Sequence, residues 1–492
     1  MPDFAEVKTL EATTATIQKK RVAMVVLDSV ITDSRVLKEA DTMSLAGYDV
    51  MVFGIKDIKI DADLILRDTG TRILLADWRP ATFRAIGRIF NLFGLLAVVI
   101  LAGLAYSLNP ILQSVGGLAA LAWRNIAFFP YVIVGGVAVF FANRAARKAN
   151  IVALRLTNQK IEFGFFRRWW KLATNPKQVI YRLVSNEIIE SEILEHLEEF
   201  NPVALHCHDF STLPLGVRFK RKHPKVKLIY DSHEIYCERP NYSEYQKVKI
   251  RQAQRRASKH VDAFITVNQS VAHYLLRAYP KLPTPCIVRN ASPFRDKPVE
   301  YDGRLHKRLG IPSDTKIILY HGGIVKVRNL EMLLDAARLL PPDIHVVLMG
   351  WGNHAEDLEA KAKEIPNCHI IPGVPQEELH LWTAGSWLGV LPYSDICLNH
   401  KFCSPNKMWE YPSSGVPIIA ANLVELVATI KEYNIGWLCG LPMTAQNLVE
   451  CVMSITPDEH KAKVDACFKF QQLDCWEVYA QRLTTLYREQ LA

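Results

Sequence analysis

RVAMVVLDSVITDSRVLKEADTMSLAGYDVMVFG, residues 21–54, carries the pattern from which the fold class can be predicted. It opens with a short apolar run, residues 21–28, which is typical of a fully buried parallel strand. Four apolar residues then follow at helical spacing: Val36, Ala40, Met43 and Leu45. Gly47 predicts the end of that helix. A second apolar run, residues 49–54, completes a strand–helix–strand unit, so we expect a parallel α/β sheet.

Length and composition indicate a folded protein of more than one domain. The chain has 492 residues, of which 49% are hydrophobic and 22% charged. That is too long for one compact core and too apolar for disorder. The net charge of +9 suits an anionic ligand or an anionic membrane surface, but it is too small to indicate a nucleic-acid partner.

The cysteines and the first residues give expectations about the compartment. Ten cysteines form no CxxC pair, which favours scattered thiols in a reducing compartment over a disulfide framework. Residues 1–20 lack the apolar segment of a signal peptide, and we expect a flexible leader there.

Two apolar runs interrupt the α/β pattern. Residues 90–108 are 19 consecutive residues without a charge, and residues 126–142 form a second uncharged run. About 20 apolar residues cross a bilayer, so the first run is long enough and the second is marginal. Cationic residues flank the pair on both outer sides: Arg79, Arg84, Arg88, Arg144, Arg147 and Lys148. This pattern predicts a helical hairpin with both ends on the cytoplasmic side.

We therefore predict a membrane-associated helical insertion at residues 78–172. Residues 90–142 would contact the bilayer and hold the protein on the cytoplasmic face of the membrane. The segment FFRRWWK, residues 165–171, mixes aromatic and cationic side chains as membrane-interface segments do. Two alternatives remain: a hairpin that enters the bilayer and returns without spanning it, and a buried helical pair in a soluble domain.

Strand–helix alternation resumes after residue 179 in two series. The apolar runs of the first series end in polar loops at residues 203–209, 226–234, 262–268 and 285–290. The second series has runs at residues 316–323, 345–352, 368–374, 388–393 and 416–421. ASPFRDKP, residues 291–298, resembles a linker between them. We predict two doubly wound α/β domains, residues 21–295 and 296–470, with the insertion in the first. Ligands are expected at the carboxyl ends of their strands.

Candidate phosphate-binding residues follow the first strand of the second series. Gly322 and Gly323 stand between a strand and a helix, where small residues let a phosphate approach the backbone and the helix N-terminus. Arg328 lies just before that helix and can neutralise a diphosphate. A plain tight turn is the alternative explanation for the two glycines.

Lys407 and Glu410 form a second candidate pair. They are three residues apart, on one face of a short predicted helix. A carboxylate there can accept hydrogen bonds from two ribose hydroxyls, and the lysine can meet a phosphate. A surface ion pair is the alternative explanation.

The polar strand ends of the first domain are rich in histidines and carboxylates: His206, His208, Asp209, Asp231, His233 and Glu234. A zinc site would need ligands that converge from two loops, and this spacing does not require convergence. We therefore predict no metal site. Asp61 and Asp63 lie in a charged stretch outside the strand series and are expected in a surface loop.

In order along the chain, these segments resemble glycosyltransferase family 4 (group 1), the retaining enzymes with the two-domain GT-B fold. RVLKEADTMSLAGYDVMVFG is similar to the family's opening unit, and HCHD, DSHE and ITVNQSVAHYL are similar to the middle of its acceptor domain. YHGGIVKVRNLEMLLDAARLL, VLMGWGN, PGVPQEEL and SPNKMWEYPSSGVPIIA follow its donor domain. The resemblance covers residues 20–490 apart from the insertion. CWEVYAQRLTTLY is similar to the family's last helix, so residues 471–492 are expected to cross back to the first domain.

The resemblance implies a role for each candidate residue. Glu410 would bind the donor ribose, and Arg328 would stabilise the leaving diphosphate beside Gly322 and Gly323. His208 would reach the donor sugar near the reaction centre. The resemblance places residues 350–352, with Gly350 and Gly352, and the pair Gly373 and Val374 in loops around the nucleotide base. Asn406 and Lys407 would face the sugar and phosphate. It implies a catalytic set of His208, Arg328, Lys407 and Glu410. The co-substrate would be a nucleoside-diphosphate sugar, with no metal and no other cofactor.

Two positions depart from the family pattern. Gly323 stands where the family often has an arginine, and Phe402 stands where it often has a glutamate. Lys407 or Lys326 can supply the missing positive charge.

The implied function is transfer of a sugar from a nucleoside-diphosphate sugar, with retained anomeric configuration. We expect a membrane or lipid-linked acceptor in glycan biosynthesis, such as cell-envelope polysaccharide, because the predicted hairpin would hold the acceptor-binding domain at the bilayer. Two alternatives remain. One is a non-catalytic GT-B scaffold, which the two departures favour. The other is a nucleotide-sugar epimerase or a phosphorylase on the same fold.

Overall fold

The computed structural model describes residues 19–56, 62–76, 189–240 and 242–492. The chain divides into two compact units, one formed by Met1–Ala76 with Ile193–Ala492 and the other by Asp77–Glu192. In the second unit only residues 189–192 are described, and they are helical. The predicted insertion at residues 78–172 lies outside the described residues, as does nearly all of the predicted leader. Within the described ranges, no helix is both long enough and apolar enough to cross a bilayer.

The first domain of the larger unit is built on one sheet. Its strands are β1 (Arg21–Val25), β2 (Asp49–Ile55), β3 (Leu64–Leu66), β4 (Arg72–Ala76), β5 (Ala204–His208), β6 (Lys227–Ser232), β7 (Ala263–Thr266) and β8 (Pro285–Ile287). Its helices are α1 (Ser34–Leu45), α2 (residues 193–200), α3 (Asp209–Lys222), α4 (Glu244–Ala257) and α5 (Gln269–Ala278). Short 3-10 turns lie at Val30–Thr32, Tyr236–Glu238 and Ser258–His260. The sheet order is β3-β4-β2-β1-β5-β6-β7-β8, and β3–β4 is its antiparallel pair.

The opening unit folds as its sequence predicts, with one exception. Asp33 caps α1 by accepting hydrogen bonds from the backbone nitrogens of Arg35 and Val36. Val36 lies on the buried face of the helix together with Ala40 and Met43. Leu45, which the spacing predicts on that face, is 74% exposed. It is the last residue of the helix, where the chain already turns away towards Gly47, whose φ is +96°.

The second domain carries a six-stranded parallel sheet. Its strands are β9 (Lys316–Gly323), β10 (Ile344–Trp351), β11 (Cys368–Ile371), β12 (Leu388–Leu391), β13 (Ile418–Ala420) and β14 (Gly436–Leu438). Its helices are α6 (Arg304–Leu309), α7 (Glu331–Leu339), α8 (Ala355–Ala362), α9 (Leu379–Thr383), α10 (Leu398–Lys401), α11 (Lys407–Glu410), α12 (Val424–Tyr433), α13 (Ala445–Ser454) and α14 (Pro457–Leu473). Further 3-10 turns lie at Lys326–Arg328 and Pro412–Ser414. The predicted doubly wound α/β architecture is thereby confirmed.

Sheet order determines where a ligand site can form. In the second domain the order is β11-β10-β9-β12-β13-β14, so the winding reverses between β9 and β12. In the first domain it reverses between β1 and β5. At such a reversal the loops after neighbouring strands diverge and leave a crevice at the carboxyl ends.

The last helix, α15 (Trp476–Leu491), packs on the first domain. The indole nitrogen of Trp476 donates a hydrogen bond to Oγ1 of Thr42 at 3.1 Å. Tyr487 Oη lies 2.9 Å from Nδ1 of His206 on β5. The end of the chain therefore bridges the two domains.

Hydrogen bonds also join the two domains along the crevice. The side chain of Asn399 accepts from the backbone nitrogen of Ile235 at 2.8 Å and donates to its carbonyl at 3.1 Å. The same amide donates to a carboxylate oxygen of Glu234 at 2.9 Å. Asn268 donates to the carbonyl of Phe402 at 2.8 Å. The segment that leads into α11 is therefore fixed to the first domain.

Candidate functional site

A cleft of about 430 Å³ opens at the carboxyl ends of the second sheet. The residues that line it come from the ends of β9 and β10, the loops after β11 and β12, and α11. They are His321, Gly322, Gly323, Arg328, Met349, Gly350, Trp351, Gly373, Val374, Gln376, Leu379, Tyr393, Pro405, Asn406, Lys407 and Glu410. The volume falls within the range of small-molecule sites.

Glycines at the ends of β9 and β10 let two backbones and a lysine come together. Gly322 has φ +111°, and a Cβ there would lie 2.7 Å from Lys407 Nζ. A Cβ on Gly350 would lie 1.9 Å from the carbonyl oxygen of Gly322 on the neighbouring strand. Gly323 has open space around it, so the backbone there is accessible to a ligand.

Two cations project into this part of the cleft. Nζ of Lys407 lies 5.5 Å from the ring centroid of Tyr320, and the guanidinium of Arg328 lies 4.5 Å from that of Tyr393. These aromatic faces support the cations without neutralising them. The cleft therefore offers two positive charges beside the glycine turn.

Glu410 lines the same cleft and lies on the short helix α11, three residues after Lys407. Its Oε1 accepts a hydrogen bond from Nε2 of Gln376 at 3.1 Å, and its Oε2 lies 3.8 Å from Nδ1 of His321. Burial, together with the charge of Lys407, holds the pKa of His321 well below its usual value, so that ring is neutral. Because the His321 ring carries no charge, it does not form an ion pair with the Glu410 carboxylate. The carboxylate can therefore accept hydrogen bonds from a ligand.

Packing beneath α11 fixes the position of Glu410. Met408 and Trp409 are buried, and the Trp409 indole donates to Asp474 at 3.1 Å. The Tyr411 hydroxyl donates to the carbonyl of Leu319 on β9 at 2.8 Å. In KMWEY the apolar residues are buried and anchor one face of the helix. The two charged residues lie on the other face and line the cleft.

Most of the donor-site residues implied by the family resemblance lie together in this cleft. The structure brings together Gly322, Gly323, Arg328, Gly350, Gly373, Val374, Asn406, Lys407 and Glu410. Gly352 lies outside the lining and serves packing, because a Cβ there would lie 2.0 Å from the carbonyl oxygen of Ile324. Sequence reasoning did not select Trp351, Gln376 or Tyr393. Trp351 ends β10, Tyr393 lies two residues after β12 and Gln376 five residues after β11, so closeness to the carboxyl end of a strand is the one local signal they share.

His208 is not among the residues that line this cleft. It lies at the end of β5 and is only 1% exposed. Its Nδ1 is 3.3 Å from Nε2 of His233 and 3.6 Å from an oxygen of Asp231. The ring stacks on His206 with centroids 4.2 Å apart. In this structure His208 is part of a buried polar cluster of the first domain.

Charges within this cluster balance one another. Arg35 donates from Nε and Nη2 to the two oxygens of Asp231 at 2.9 and 2.8 Å. Burial alone would raise the pKa of Asp231, but Arg35 and His233 hold it well below its usual value. Burial alone would lower the pKa of His233, but Asp231 and Asp209 raise it to about 9. Burial raises the pKa of Glu39 to about 8.

Among the residues that the structure describes, two groups of side chains have metal-ligand atoms within 4.8 Å of one another. The first is buried and consists of Glu39, His206, His208 and Asp231; the second is Glu331, His354 and Asp357. In the first group the guanidinium of Arg35 already pairs with Asp231 and lies 3.1 Å from Glu39. That cation occupies the place where a metal would be needed to balance the carboxylates. The absence of a metal requirement stays a prediction.

Two sequence families match in order along the chain. Residues 166–288 match Glycosyltransferase Family 4, and residues 302–466 match Glycosyl transferases group 1. A D-inositol 3-phosphate glycosyltransferase from Nocardioides sp. is 29% identical over 152 residues, which is 27% of this chain and 32% of that protein. The match thus spans about a third of that relative's length.

Solved structures share the fold at low sequence identity. Sucrose-phosphate synthase from Thermosynechococcus elongatus has a TM-score of 0.62 at 14% identity, covering 96% of this chain and 99% of that one. Anabaena HepE in complex with UDP-glucose has a TM-score of 0.60 at 10% identity, covering 96% and 100%. An E. coli trehalose-6-phosphate protein bound with UDP-2-fluoro glucose has a TM-score of 0.58 at 8% identity, covering 96% and 99%. The two family matches, in this order along the chain, support a hexosyltransferase enzyme, and the solved structures show a GT-B-like fold.

Proposed function

We propose that this protein transfers a hexosyl group from a nucleoside-diphosphate sugar to a membrane or lipid-linked hydroxyl, with retained anomeric configuration and without a metal. The observation that carries the proposal is the cleft of the second domain. It combines two cations, Arg328 and Lys407, with a glycine turn at Gly322–Gly323 and a carboxylate at Glu410. The family matches and the named relatives support a hexosyltransferase.

The leaving diphosphate would bind between the cations and the glycine turn. Cleavage of the sugar–phosphate bond places negative charge on the departing oxygens, so charge stabilisation there is expected to be the largest catalytic contribution. Arg328 and Lys407 would supply it, and the accessible backbone at Gly323 would add hydrogen-bond donors. Lys407 approaches Gly322 closely enough to replace the arginine that the family often has at position 323.

Glu410 would bind the donor ribose through two hydroxyls. Its bond from Gln376 leaves lone pairs on both oxygens, and the neutral His321 ring next to it does not compete for its charge. This role orients the donor and does not break a bond.

His208 is proposed to contact the donor sugar from the first domain. Its ring is buried in this structure, so the role requires the ends of β5 and β6 to open towards the cleft when substrate binds. Loop and domain movements of this kind accompany substrate binding in many transferases and exclude water from the reaction.

The acceptor is proposed from the sequence of the insertion. The apolar runs at residues 90–108 and 126–142 and their cationic flanks would keep the enzyme on the cytoplasmic face of the membrane. A polyprenyl-linked glycan of a cell-envelope pathway fits this placement. Anabaena HepE was solved with UDP-glucose, so UDP-glucose is the first donor to test.

A non-catalytic scaffold is the second candidate. The observations that favour it are the glycine at position 323, the phenylalanine at position 402 and the burial of His208. A scaffold would keep the fold and the nucleotide cleft without turnover.

A transfer assay with the full-length protein in nanodiscs tests the proposal. Nanodiscs containing polyprenyl-linked acceptors would be incubated with UDP-glucose or GDP-mannose, with and without EDTA. We expect sugar in the lipid fraction, the donor's anomeric configuration in the product by NMR, and no effect of EDTA. Lys407→Ala should lower the rate about 100-fold or more, as loss of one transition-state donor does.

The matched control is Lys361→Ala, which removes a surface lysine paired with Asp357 and should leave the rate unchanged. Nucleotide binding without transfer or hydrolysis for any donor would favour the scaffold. An inverted product would overturn the retaining mechanism, and inhibition by EDTA would overturn metal independence.

A further inference from the structure

His208 and His233 meet at the carboxyl ends of neighbouring strands. His208 is the last residue of β5, and His233 directly follows β6. Nδ1 of His208 lies 3.3 Å from Nε2 of His233, and that Nε2 lies 3.0 Å from Oδ2 of Asp231. A neutral imidazole has one nitrogen that donates a hydrogen bond and one that accepts, so these contacts determine which nitrogen of His208 carries its proton.

The carboxylate of Asp231 fixes the proton on His233. Nε2 of His233 faces a carboxylate oxygen, which can only accept, so this nitrogen carries a proton and donates it. Arg35 donates to both oxygens of Asp231 at 2.9 and 2.8 Å and holds the carboxylate in place. Burial alone would lower the pKa of His233, but Asp231 and Asp209 raise it to about 9. At neutral pH the ring of His233 is therefore a donor at both nitrogens.

His208 consequently accepts at Nδ1. A proton on this nitrogen would meet the N–H of His233, because the two nitrogens are 3.3 Å apart and both would then be donors. It could not be donated to Asp231 instead, since Oδ2 lies 3.6 Å away, which is too far for a hydrogen bond. Burial holds the pKa of His208 below its usual value, so its ring is neutral and has a single proton. That proton lies on Nε2.

Nε2 of His208 is buried without a hydrogen bond. Neither the nearby carboxylate of Glu39 nor any other group that the structure describes bonds to it. A buried donor without a partner costs about 1–3 kcal/mol, which is recovered when a ligand supplies an acceptor. With its proton on Nε2, the ring can donate to an oxygen of the sugar nucleotide, but this nitrogen cannot take a proton from an attacking hydroxyl.

We infer that His233, held by Asp231, is a positioning residue that keeps the proton of His208 on Nε2, so that His208 acts on the sugar nucleotide as a hydrogen-bond donor. The inference rests on the proposed function, since it takes His208 as a group that contacts the sugar. His233 itself needs no contact with substrate. A carboxylate that fixes the tautomer of a histidine plays the same part in serine proteases.

NMR of the full-length protein in detergent, with isotope-labelled histidine rings, locates the proton without any turnover. One-bond coupling to hydrogen identifies the protonated ring nitrogen, and the resonances of residue 208 are those that disappear in His208→Gln. Wild type should carry the proton on Nε2. His233→Leu leaves the Asp231 carboxylate as the nearest polar partner of Nδ1, so the proton should move to Nδ1. His233→Gln can still place an N–H there and should keep the proton on Nε2.

Sugar transfer from UDP-glucose by the same variants tests the consequence for the reaction. His233→Leu should lower kcat about 100-fold, as loss of one transition-state donor does, and should leave binding of UDP, which has no sugar, within about twofold of wild type. His233→Gln should restore most of kcat. The control is His273→Leu, which removes an exposed histidine on α5 and should match wild type in all three measurements. Asp231 is left intact, because its removal would leave the buried charge of Arg35 unpaired.

The outcomes separate this inference from the proposed function. A wild-type proton on Nδ1 would overturn the inference, whether or not the protein transfers sugar. So would wild-type kcat in His233→Leu, or equal losses of kcat and UDP binding, which would indicate a structural role. Wild type that transfers no sugar would overturn the proposed function and with it the role of His208 towards the sugar, whereas the proton position would still decide whether His233 sets the tautomer. Thermal unfolding shows whether His233→Leu folds; wild type and His233→Gln decide if it does not.

Discussion

Replacing Glu410 with glutamine is expected to weaken nucleotide binding, because the ribose hydroxyls lose their hydrogen bonds to a charged carboxylate. In wild type both carboxylate oxygens have free lone pairs in a site where the side chain is 15% exposed. A hydrogen bond to an ionised group contributes about 1.5–3 kcal/mol, whereas a neutral one contributes about 0.5–1.5 kcal/mol. Two ribose hydroxyls therefore lose roughly 2 kcal/mol in total when the charge is removed, or about 30-fold in Kd.

Calorimetric titration with UDP and 2′-deoxy-UDP measures this loss. Wild type should prefer UDP by about tenfold or more, since the deoxy nucleotide forfeits one charge-assisted bond. Glu410→Gln should bind UDP about 30-fold more weakly and should distinguish the two nucleotides less well. The control is Glu364→Gln, an exposed carboxylate of the same domain outside the cleft lining. Equal binding of UDP by Glu410→Gln and wild type, or no preference of wild type for the ribose form, would refute the assignment.

Three further substitutions test the packing around the site. Gly350→Ala should lower the free energy of unfolding by about 1–3 kcal/mol, because its Cβ would lie 1.9 Å from the carbonyl oxygen of Gly322. Thermal denaturation measures this loss. The control is Gly323→Ala, which should unfold like wild type because there is open space at position 323. Asn399→Ala should cost about 1–3 kcal/mol by leaving partners in the first domain unsatisfied; unchanged stability in denaturant titration would argue against a fixed domain contact. Burial lowers the pKa of Lys38 to about 8 from 10.5, so its contribution to stability is fully present above pH 10.5 and lost as the pH falls from 10.5 to 8. Between pH 10.5 and pH 7 the stability of Lys38→Met relative to wild type should therefore rise by up to about 3 kcal/mol, on top of a pH-independent loss of the hydrogen bond from Nζ to the Ala291 carbonyl; a difference that does not vary with pH would contradict the shifted pKa.

Much of the fold could be predicted from the sequence because its central strands are continuous apolar runs. KIILYHGG and HVVLMGWG become β9 and β10 nearly residue for residue, since both faces of a central parallel strand are buried. β3, β4 and β14 were not predicted. β3 has three residues and lies at the sheet edge, where Leu64 and Leu66 are exposed. An edge strand with an open face carries no continuous apolar signal.

Site residues could be predicted where a motif fixes local geometry. The spacing of Lys407 and Glu410 determines one helical face, and α11 presents both to the cleft. Trp351 and Gln376 could not be predicted in this way. They reach the cleft only because β10 and β11 are neighbours in the sheet. Strand order belongs to the tertiary structure and cannot be read from a local sequence pattern. His208 shows the opposite case: the resemblance implies a role at the reaction centre, but pairing with Asp231 and stacking on His206 keep its ring buried here.

Hydrogen–deuterium exchange of the full-length protein with and without UDP-glucose tests whether the cleft of the second domain binds the donor. Slower exchange is expected only in the peptides that contain Gly322–Arg328, residues 349–352, residues 373–376 and residues 405–411, which meet in the cleft of the second domain. The same segments should remain unprotected with glucose alone. Protection elsewhere, or no protection at a UDP-glucose concentration that stabilises the protein against heat, would contradict the assignment of this cleft as the donor site.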